Sequence, residues 1–265
     1  RLEKELRVAV AEHQLTMHYQ PVVCLESSKV VGVEGLVRWN HPQRGLVATS
    51  EFLDVAEESG LIVPIGWWAI EEGVRQLRSW HDRLRGGGDL WFSVNVSGKL
   101  LMRLDAVDRL QRVLASSKLK PSSLRLEITE RMAVDHGDAA VSRLDDLRAL
   151  GIRIGVDDFG IDYASLTSLE RFHFDILKVH PSFVDCGPQC NGNGRVLRSM
   201  LGLATELGLE VIAEGVETAE QVKMLRSLHC PEGQGFWFAR PAPAAAVLKL
   251  VESPPAWWRG SVEPA

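Results

Sequence analysis

Apolar residues recur along the chain in two alternating patterns. Leu2, Leu6, Ala9, Val10 and His13 fall at helical spacing, so residues 1–13 read as an amphipathic N-terminal helix. Beyond them, short β-branched runs stand at Thr16–Val23, Val30–Trp39, Leu90–Val96, Leu124–Thr129, Ile152–Val156, Phe174–Val179, Leu209–Ala213 and Gly235–Phe238. These are eight candidate strands. Helical stretches separate most of them, at 50–59, 64–84, 100–116, 138–150, 163–171, 195–207 and 218–228. A last helix, Ala244–Val251, enters through Pro243, and Pro254 and Pro255 end the regular pattern. Strands that are mostly followed by helices predict an α/β fold, a (β/α)8 TIM-like barrel rather than an open sheet. Only Cys24–Lys29 separate the first two runs, too few for a crossover helix, so those runs are expected to pair as an antiparallel hairpin. Gly86–Gly88 and Gly192–Gly194 read as loops. The expected organisation is one domain over 1–253, followed by a C-terminal tail over 254–265.

Composition narrows the function classes. The chain has 265 residues, 45% hydrophobic and 25% charged, enough for a large core without disulfide support. A formal net charge of -5 argues against a nucleic-acid polymer as partner, although not against a small anion held locally. Cys24, Cys186, Cys190 and Cys230 form no Cys-x-x-Cys pair and read as reduced thiols of a cytoplasmic protein. No apolar run reaches the ~18 residues of a membrane span, and no signal peptide opens the sequence. It begins at Arg1 inside a helical pattern, as a piece of a longer protein would, and the longer protein could be membrane-anchored through other parts.

Candidate chemistry gathers at the strand ends, where barrels carry their functional groups. Glu34, Leu36 and Arg38 share one face of the second run, opposite Val33, Gly35 and Val37. Asn95 ends the third run, and Glu127 and Thr129 share a face of the fourth with Glu130 just beyond. The fifth run leads into Asp157-Asp158-Phe159-Gly160, the sixth aligns Ile176, Lys178 and His180, and the seventh ends at Glu214 and Glu217. A glutamate at one strand end is usually a cap or a surface residue. Six consecutive strands each delivering a polar group to one rim form a constellation. Five carboxylates (Glu34, Glu127, Asp157, Asp158, Glu214) face only Lys178 and Arg38, and such crowding calls for protonation or bound cations. An all-oxygen donor set favours Mg²⁺ or Mn²⁺ over Zn²⁺. The adjacent Asp157-Asp158 pair suits two ions, an arrangement that serves phosphodiester cleavage. The residues alone fix only metal-assisted chemistry on a phosphate or carbonyl substrate.

Eight motifs carry a more specific resemblance: Tyr19-Gln20-Pro21-Val22, Glu34-Gly35-Leu36-Val37-Arg38-Trp39, Asn95-Val96-Ser97, Leu126-Glu127-Ile128-Thr129-Glu130, Asp157-Asp158-Phe159-Gly160, Leu177-Lys178-Val179, Ala213-Glu214-Gly215-Val216-Glu217 and Gly233-Gln234-Gly235-Phe236. In this order the chain closely resembles the EAL domain family over residues 5–251. The resemblance implies a barrel whose first strand runs antiparallel to the others, and hydrolysis of cyclic di-GMP to linear 5'-pGpG in bacterial signalling. It implies Glu34, Asn95, Glu127 and Asp157 as ligands of one ion, and Asp157, Asp158 and Glu214 as ligands of a second. Lys178 then serves catalysis beside Glu34 and Glu214. Gln20, Leu36, Arg38 and Gln234 are implied in substrate binding, and Glu130 and Glu217 in support behind the ligands, Glu130 anchoring the loop after the Asp pair. A homodimer, and sensory or GGDEF-type domains elsewhere in the full-length protein, are implied as well.

The chain departs from the family pattern at three places. Gly35 replaces the alanine of the name-giving triplet, on the face turned away from the rim, where packing rather than chemistry should register the change. Asp162 stands where glycine is usual, and His180 where aspartate is usual, followed by Pro181 instead of a basic residue. Every implied ligand is present, so catalysis is expected. The alternative is a weak or inactive domain that serves as a cyclic di-GMP receptor. An unrelated metal-dependent barrel would fit the carboxylate count but not the ordered motifs.

Overall fold

A computed structural model of the chain describes residues 1–84, 90–160, 166–185 and 193–259. Gly86–Gly88, Asp162, Cys186 and Cys190 lie outside the described residues. In chain order the elements are α1 (Leu2–Ala11), β1 (Leu15–Cys24), β2 (Val30–His41), β3 (Gly45–Ala48), α2 (Leu53–Ser59), α3 (Ile62–Arg83), β4 (Trp91–Asn95), α4 (Gly98–Leu101), α5 (Ala106–Ser117), β5 (Leu124–Thr129) and α6 (Glu130–Ala149). They continue as β6 (Arg153–Phe159), α7 (Leu166–Phe172), β7 (Ile176–Val179), α8 (Pro181–Val184), α9 (Asn193–Glu206), β8 (Glu210–Ala213), α10 (Ala219–Ser227), β9 (Glu232–Gly233) and α11 (Ala244–Glu252).

The strands pair in the order β1-β9-β8-β7-β6-β5-β4-β2, and β1 closes the ring on β2, while β3 only extends β2 as a flap. β1 is antiparallel to both neighbours, β2 and β9, and the other ring strands run parallel. The closed TIM-like barrel and its reversed first strand are therefore as expected from the sequence.

Three elements differ from their sequence pattern. The eighth strand is the two-residue β9, and Gly235–Phe238 is a turn instead. Gly235 packs so closely on the loop after β8 that a Cβ there would lie 2.2 Å from the Val216 backbone. The turn is held by Trp237 N–H donating to the Val216 carbonyl at 2.8 Å, which uses up the donor a ladder would need. The helix expected at 100–116 is broken into α4 and α5. The helix expected at 138–150 starts at Glu130, capped by Thr129 Oγ1, and kinks at Gly137.

Helices cover the barrel with their apolar faces. In α3 the buried residues Ile70, Val74, Leu77 and Trp80 recur at three- and four-residue spacing. Each such side chain contributes about 1.5–3 kcal/mol by leaving water. Inside the barrel, Val22, Trp91, Ile176 and Ile212 form a separate buried apolar belt across the lumen. Below it, at the N-terminal mouth, Arg125 stacks over Trp91 at 3.7 Å and lies 2.9 Å from Glu210, which also pairs with Arg153. Above the belt, at the C-terminal mouth, stand the polar residues singled out in the sequence. The chain beyond residue 253 continues to pack: Trp258 is fully buried. Among the described residues no helix is long and apolar enough to cross a membrane.

Candidate active site

Strand periodicity brings most of the site together. Residues two apart on a strand share a face, so Glu34, Asn95, Glu127 and Lys178 project inward one step above Gly32, Ser93, Arg125 and Ile176. Glu34 faces Gln20 across the β1–β2 pair, and Asn95 faces Glu127 across β4–β5. Asp157 and Asp158 need a further device, because adjacent strand residues point to opposite faces. The β6–β7 register breaks between Val156 and Phe159, and Asp158 adopts a left-handed backbone with φ +56°. Such a conformation costs a non-glycine residue about 1 kcal/mol. The bulge turns both carboxylates to one place, with the Asp158 N–H donating to Asp157 Oδ1 at 3.0 Å. Oxygens of Asp157, Asp158 and Glu214 lie within 4.8 Å of one another, a grouping able to hold a metal ion.

Lys178 is the hub. Its Nζ, almost fully buried, lies 2.8 Å from Glu127 Oε2, 2.9 Å from Glu214 Oε1, 3.4 Å from Asp157 Oδ1 and 3.5 Å from Glu34 Oε2. Asn95 Nδ2 donates to Glu34 Oε1 at 2.8 Å and to Glu127 Oε2 at 3.4 Å. Gln234 Nε2 donates to Glu34 Oε2 at 2.7 Å and to Gln20 Oε1 at 3.0 Å. Gln20 Nε2 in turn donates to the Ala239 carbonyl at 3.0 Å. Gln234 Oε1 is buried with no donor among the described residues, an acceptor left over at the edge of the site.

The electrostatics are those of a site short of positive charge. Burial raises Glu127 to about 8, against the pull of Lys178 and with the added repulsion of Glu34 and Asp157. Burial likewise raises Glu214 well above the usual carboxylate range, with Asp157 and Glu34 adding to the shift and Lys178 opposing it. Burial alone would depress Lys178, but Asp157, Glu127, Glu214 and Glu34 together hold its ammonium well above the ordinary value. One ammonium cannot neutralise five carboxylates. The donors are hard oxygens, so the residues fit divalent cations of the Mg²⁺ or Mn²⁺ type.

The other candidates occupy distinct places. A cavity of about 480 Å³ opens beside the carboxylates, lined by Gln20, Glu34, Leu36, Glu214, Glu217 and Gln234. Arg38 stands further out, half-buried, with Nη1 donating to the Val37 carbonyl at 2.9 Å; among the described residues it pairs with no rim glutamate. Glu217 is exposed in the cavity wall, where its backbone N–H donates to Gln221 Oε1. Glu130 is buried in the first turn of α6, and the loop it was expected to anchor, 161–165, lies outside the described residues. His180 is tied down locally: its Nδ1 accepts from the Ser182 N–H at 3.2 Å and caps α8. Gly35 does face away from the rim, and a Cβ there would lie 2.4 Å from Phe92 Cε2 and 3.1 Å from Met17 Sδ. A phenylalanine ring fills the place of the missing methyl.

The cavity also has a wall that the sequence pattern did not announce, made by Pro181, Ser182, Asp185, Gln221 and Phe236. Pro181 and Ser182 had a signal in their position just after His180. Phe236 was hidden by the expectation of a strand at 235–238. Asp185 follows a short helix that the pattern did not predict, and Gln221 stands in the first turn of α10, where no strand end marks it.

With the geometry in place, relatives identify the lineage. The EAL domain family matches residues 3–241. The chain belongs to the EAL domain family. It is 39% identical over 248 residues to the bifunctional diguanylate cyclase/cyclic di-GMP phosphodiesterase MucR of Pseudomonas aeruginosa, covering 93% of this chain and 36% of that protein. It is 37% identical over 245 residues to the cyclic di-GMP phosphodiesterase PdeR of Escherichia coli, covering 92% and 36%. This EAL domain thus spans about a third of the length of those relatives. Among solved structures, the PaMucR phosphodiesterase in complex with c-di-GMP superposes with a TM-score of 0.87 at 38% identity, covering 93% of this chain and 99% of that one. The EAL enzyme Bd1971, in its cAMP- and cyclic-di-GMP-bound form, gives a TM-score of 0.90 at 34% identity, covering 94% and 68%.

Proposed function

We propose that this EAL domain is a metal-dependent phosphodiesterase that hydrolyses cyclic di-GMP to linear 5'-pGpG. The observation that carries the reading is the ring of carboxylates around Lys178 at the C-terminal mouth of the barrel, within a chain whose relatives are named for this activity. In it, water adds to one phosphodiester, the bond from phosphorus to the 3' oxygen breaks, and that oxygen leaves as a hydroxyl.

Glu34, Asn95, Glu127 and Asp157 would hold one divalent ion, and Asp157, Asp158 and Glu214 a second. Bound there, Mg²⁺ or Mn²⁺ would supply a water nucleophile at neutral pH and stabilise the charge that develops on the phosphate. Lys178 orients the carboxylates and places its ammonium beside the reacting phosphate. Arg38, free of a rim carboxylate, binds a phosphate oxygen. Leu36 and the Gln20–Gln234 pair seat the nucleotide, the buried Gln234 Oε1 accepting from a donor on the ligand. Glu130 and Glu217 act as supports at the margin. The domain is read as a cytoplasmic signalling module that pairs with a second copy and works beside sensory or GGDEF-type domains.

The test is hydrolysis by purified protein with Mg²⁺ or Mn²⁺, followed as formation of 5'-pGpG and compared with Glu34→Ala. Saturable binding of cyclic di-GMP without linear product would replace the enzyme by a receptor.

A further inference from the structure

Beyond α11, a 3-10 turn at Ala256–Arg259 carries two tryptophans back onto the barrel. Trp258 meets Phe238 edge-on, with ring centroids 5.6 Å apart, and Trp257 meets Trp237 at 5.2 Å. The Trp258 carbonyl accepts from Arg226 Nη2 in α10 at 2.8 Å and from Ser28 Oγ in the β1–β2 turn at 3.2 Å. Arg226 also donates through Nε to the Leu25 carbonyl at 2.8 Å. The strap is therefore tied to two separate elements as well as to the aromatic pair. The Trp258 indole N–H is buried without an acceptor among the described residues, a penalty that a phenylalanine in the same place would avoid.

Both partners of the strap, Trp237 and Phe238, belong to the turn between Gln234 and Ala239. The other side of that turn faces the cavity. Phe236 lines it, and the Ala239 carbonyl holds Gln20 Nε2, whose Oε1 receives Gln234 Nε2, which also reaches Glu34. A five-residue turn thus has tryptophans clamped to its outside and the glutamine pair fixed to its inside. A shift of a fraction of an ångström at Ala239 displaces Gln20 directly, and misplacements of about 1 Å at binding groups cost up to a hundredfold in rate.

We infer that Trp257 and Trp258 form a positioning strap for the nucleotide seat, clamping the 235–239 turn so that Gln20, Gln234 and Phe236 present their binding geometry. This rests on the phosphodiesterase reading above. The experiment compares wild type, Trp258→Ala, Trp258→Phe and Trp257→Ala in the full chain, by steady-state kinetics on cyclic di-GMP and by thermal unfolding. Trp258→Ala should raise KM about tenfold with kcat within about twofold, and Trp258→Phe, which keeps the edge-on ring, should restore KM. A strap that only stabilises the fold would leave KM unchanged and lower kcat in step with the folded fraction; that result overturns the inference, as does Trp258→Phe behaving like Trp258→Ala. Should Trp258→Ala not fold, the half-buried Trp257→Ala decides in its place: a KM raised about threefold supports the strap, and an unchanged KM overturns it. If the wild type binds cyclic di-GMP without hydrolysing it, the enzyme reading fails alone, and the same ratios in equilibrium Kd judge the strap. No binding of cyclic di-GMP to the wild type overturns both.

Discussion

Glu232 offers the sharpest test of the electrostatic reasoning because it lies at the mouth opposite the site. Its carboxylate is buried, Oε2 has no hydrogen-bond donor among the described residues, and the Arg125 Nη1 is 4.0 Å away. Burial raises its pKa from 4.5 to about 7; Arg125 and Arg153 oppose the shift and Glu210 adds to it. The folded chain therefore keeps this proton over a range where the unfolded chain has lost it. Its contribution to stability is complete below pH 4.5 and disappears as the pH rises through about 7. A displacement of that size corresponds to roughly 3 kcal/mol lost across the window. Glu232→Gln mimics the protonated form and carries no titration. Urea unfolding from pH 5 to pH 8 should show the variant gaining on the wild type as the pH rises, by up to about 3 kcal/mol at the alkaline end. Parallel stability curves, or a variant that loses ground with rising pH, would refute a neutral, buried Glu232.

The remaining predictions concern packing and the site. Gly35→Ala, which restores the residue usual in the family, should cost about 1–3 kcal/mol in chemical unfolding because the new methyl meets the Phe92 ring; Phe92→Leu in the same chain should recover part of it, and KM should not move. Chelation should abolish hydrolysis, and adding Mn²⁺ to metal-free protein should raise the melting temperature, an effect that Asp157→Asn should diminish. Glu34→Gln should reduce kcat by at least about a hundredfold, measured as 5'-pGpG formation. Arg38→Ala should raise KM about tenfold with little change in kcat, since Arg38 stands outside the carboxylate ring and contributes binding alone.

Strand periodicity made much of this legible in the sequence. Glu34, Asn95, Glu127 and Lys178 project from regular strands, so alternation alone puts them on the inner face. Asp158 was legible from its strand-end position beside Asp157 and not from alternation, which sends it outward until a bulge with a left-handed residue reverses that. The last strand was misplaced for a related reason. Gly235–Phe238 is as apolar as a strand, yet the approach of Gly235 to Val216 leaves no room for one. Trp258 was expected in a tail because Pro254 and Pro255 end the helical pattern, and periodicity says nothing about a non-repeating segment that docks through two rings and a carbonyl. The Glu232 cluster left no signal because its members stand at strand beginnings, away from the rim to which barrels bring their functional groups.

The two mouths of the barrel explain why one is a site and the other is not. They are separated by the belt of Val22, Trp91, Ile176 and Ile212, and each holds buried ions. At the N-terminal mouth Arg125 and Arg153 face Glu210 and Glu232, two against two, and Arg125 also covers Trp91. With all four ionised that cluster is neutral without any visitor, and protonation of Glu232 below about pH 7 leaves it with no more than a single charge in excess. At the C-terminal mouth Lys178 is, among the described residues, the one cation paired with Glu34, Glu127, Asp157 and Glu214, with Asp158 beside them. Protonating Glu127 and Glu214 relieves the excess only in part, and it does so by giving up the oxygens a phosphate-cleaving centre needs. Divalent cations bound there would relieve it and, on the proposed reading, would draw a phosphate diester to the same place. The asymmetry in charge, rather than the presence of acidic residues as such, distinguishes the mouth proposed as the active site from the structural one.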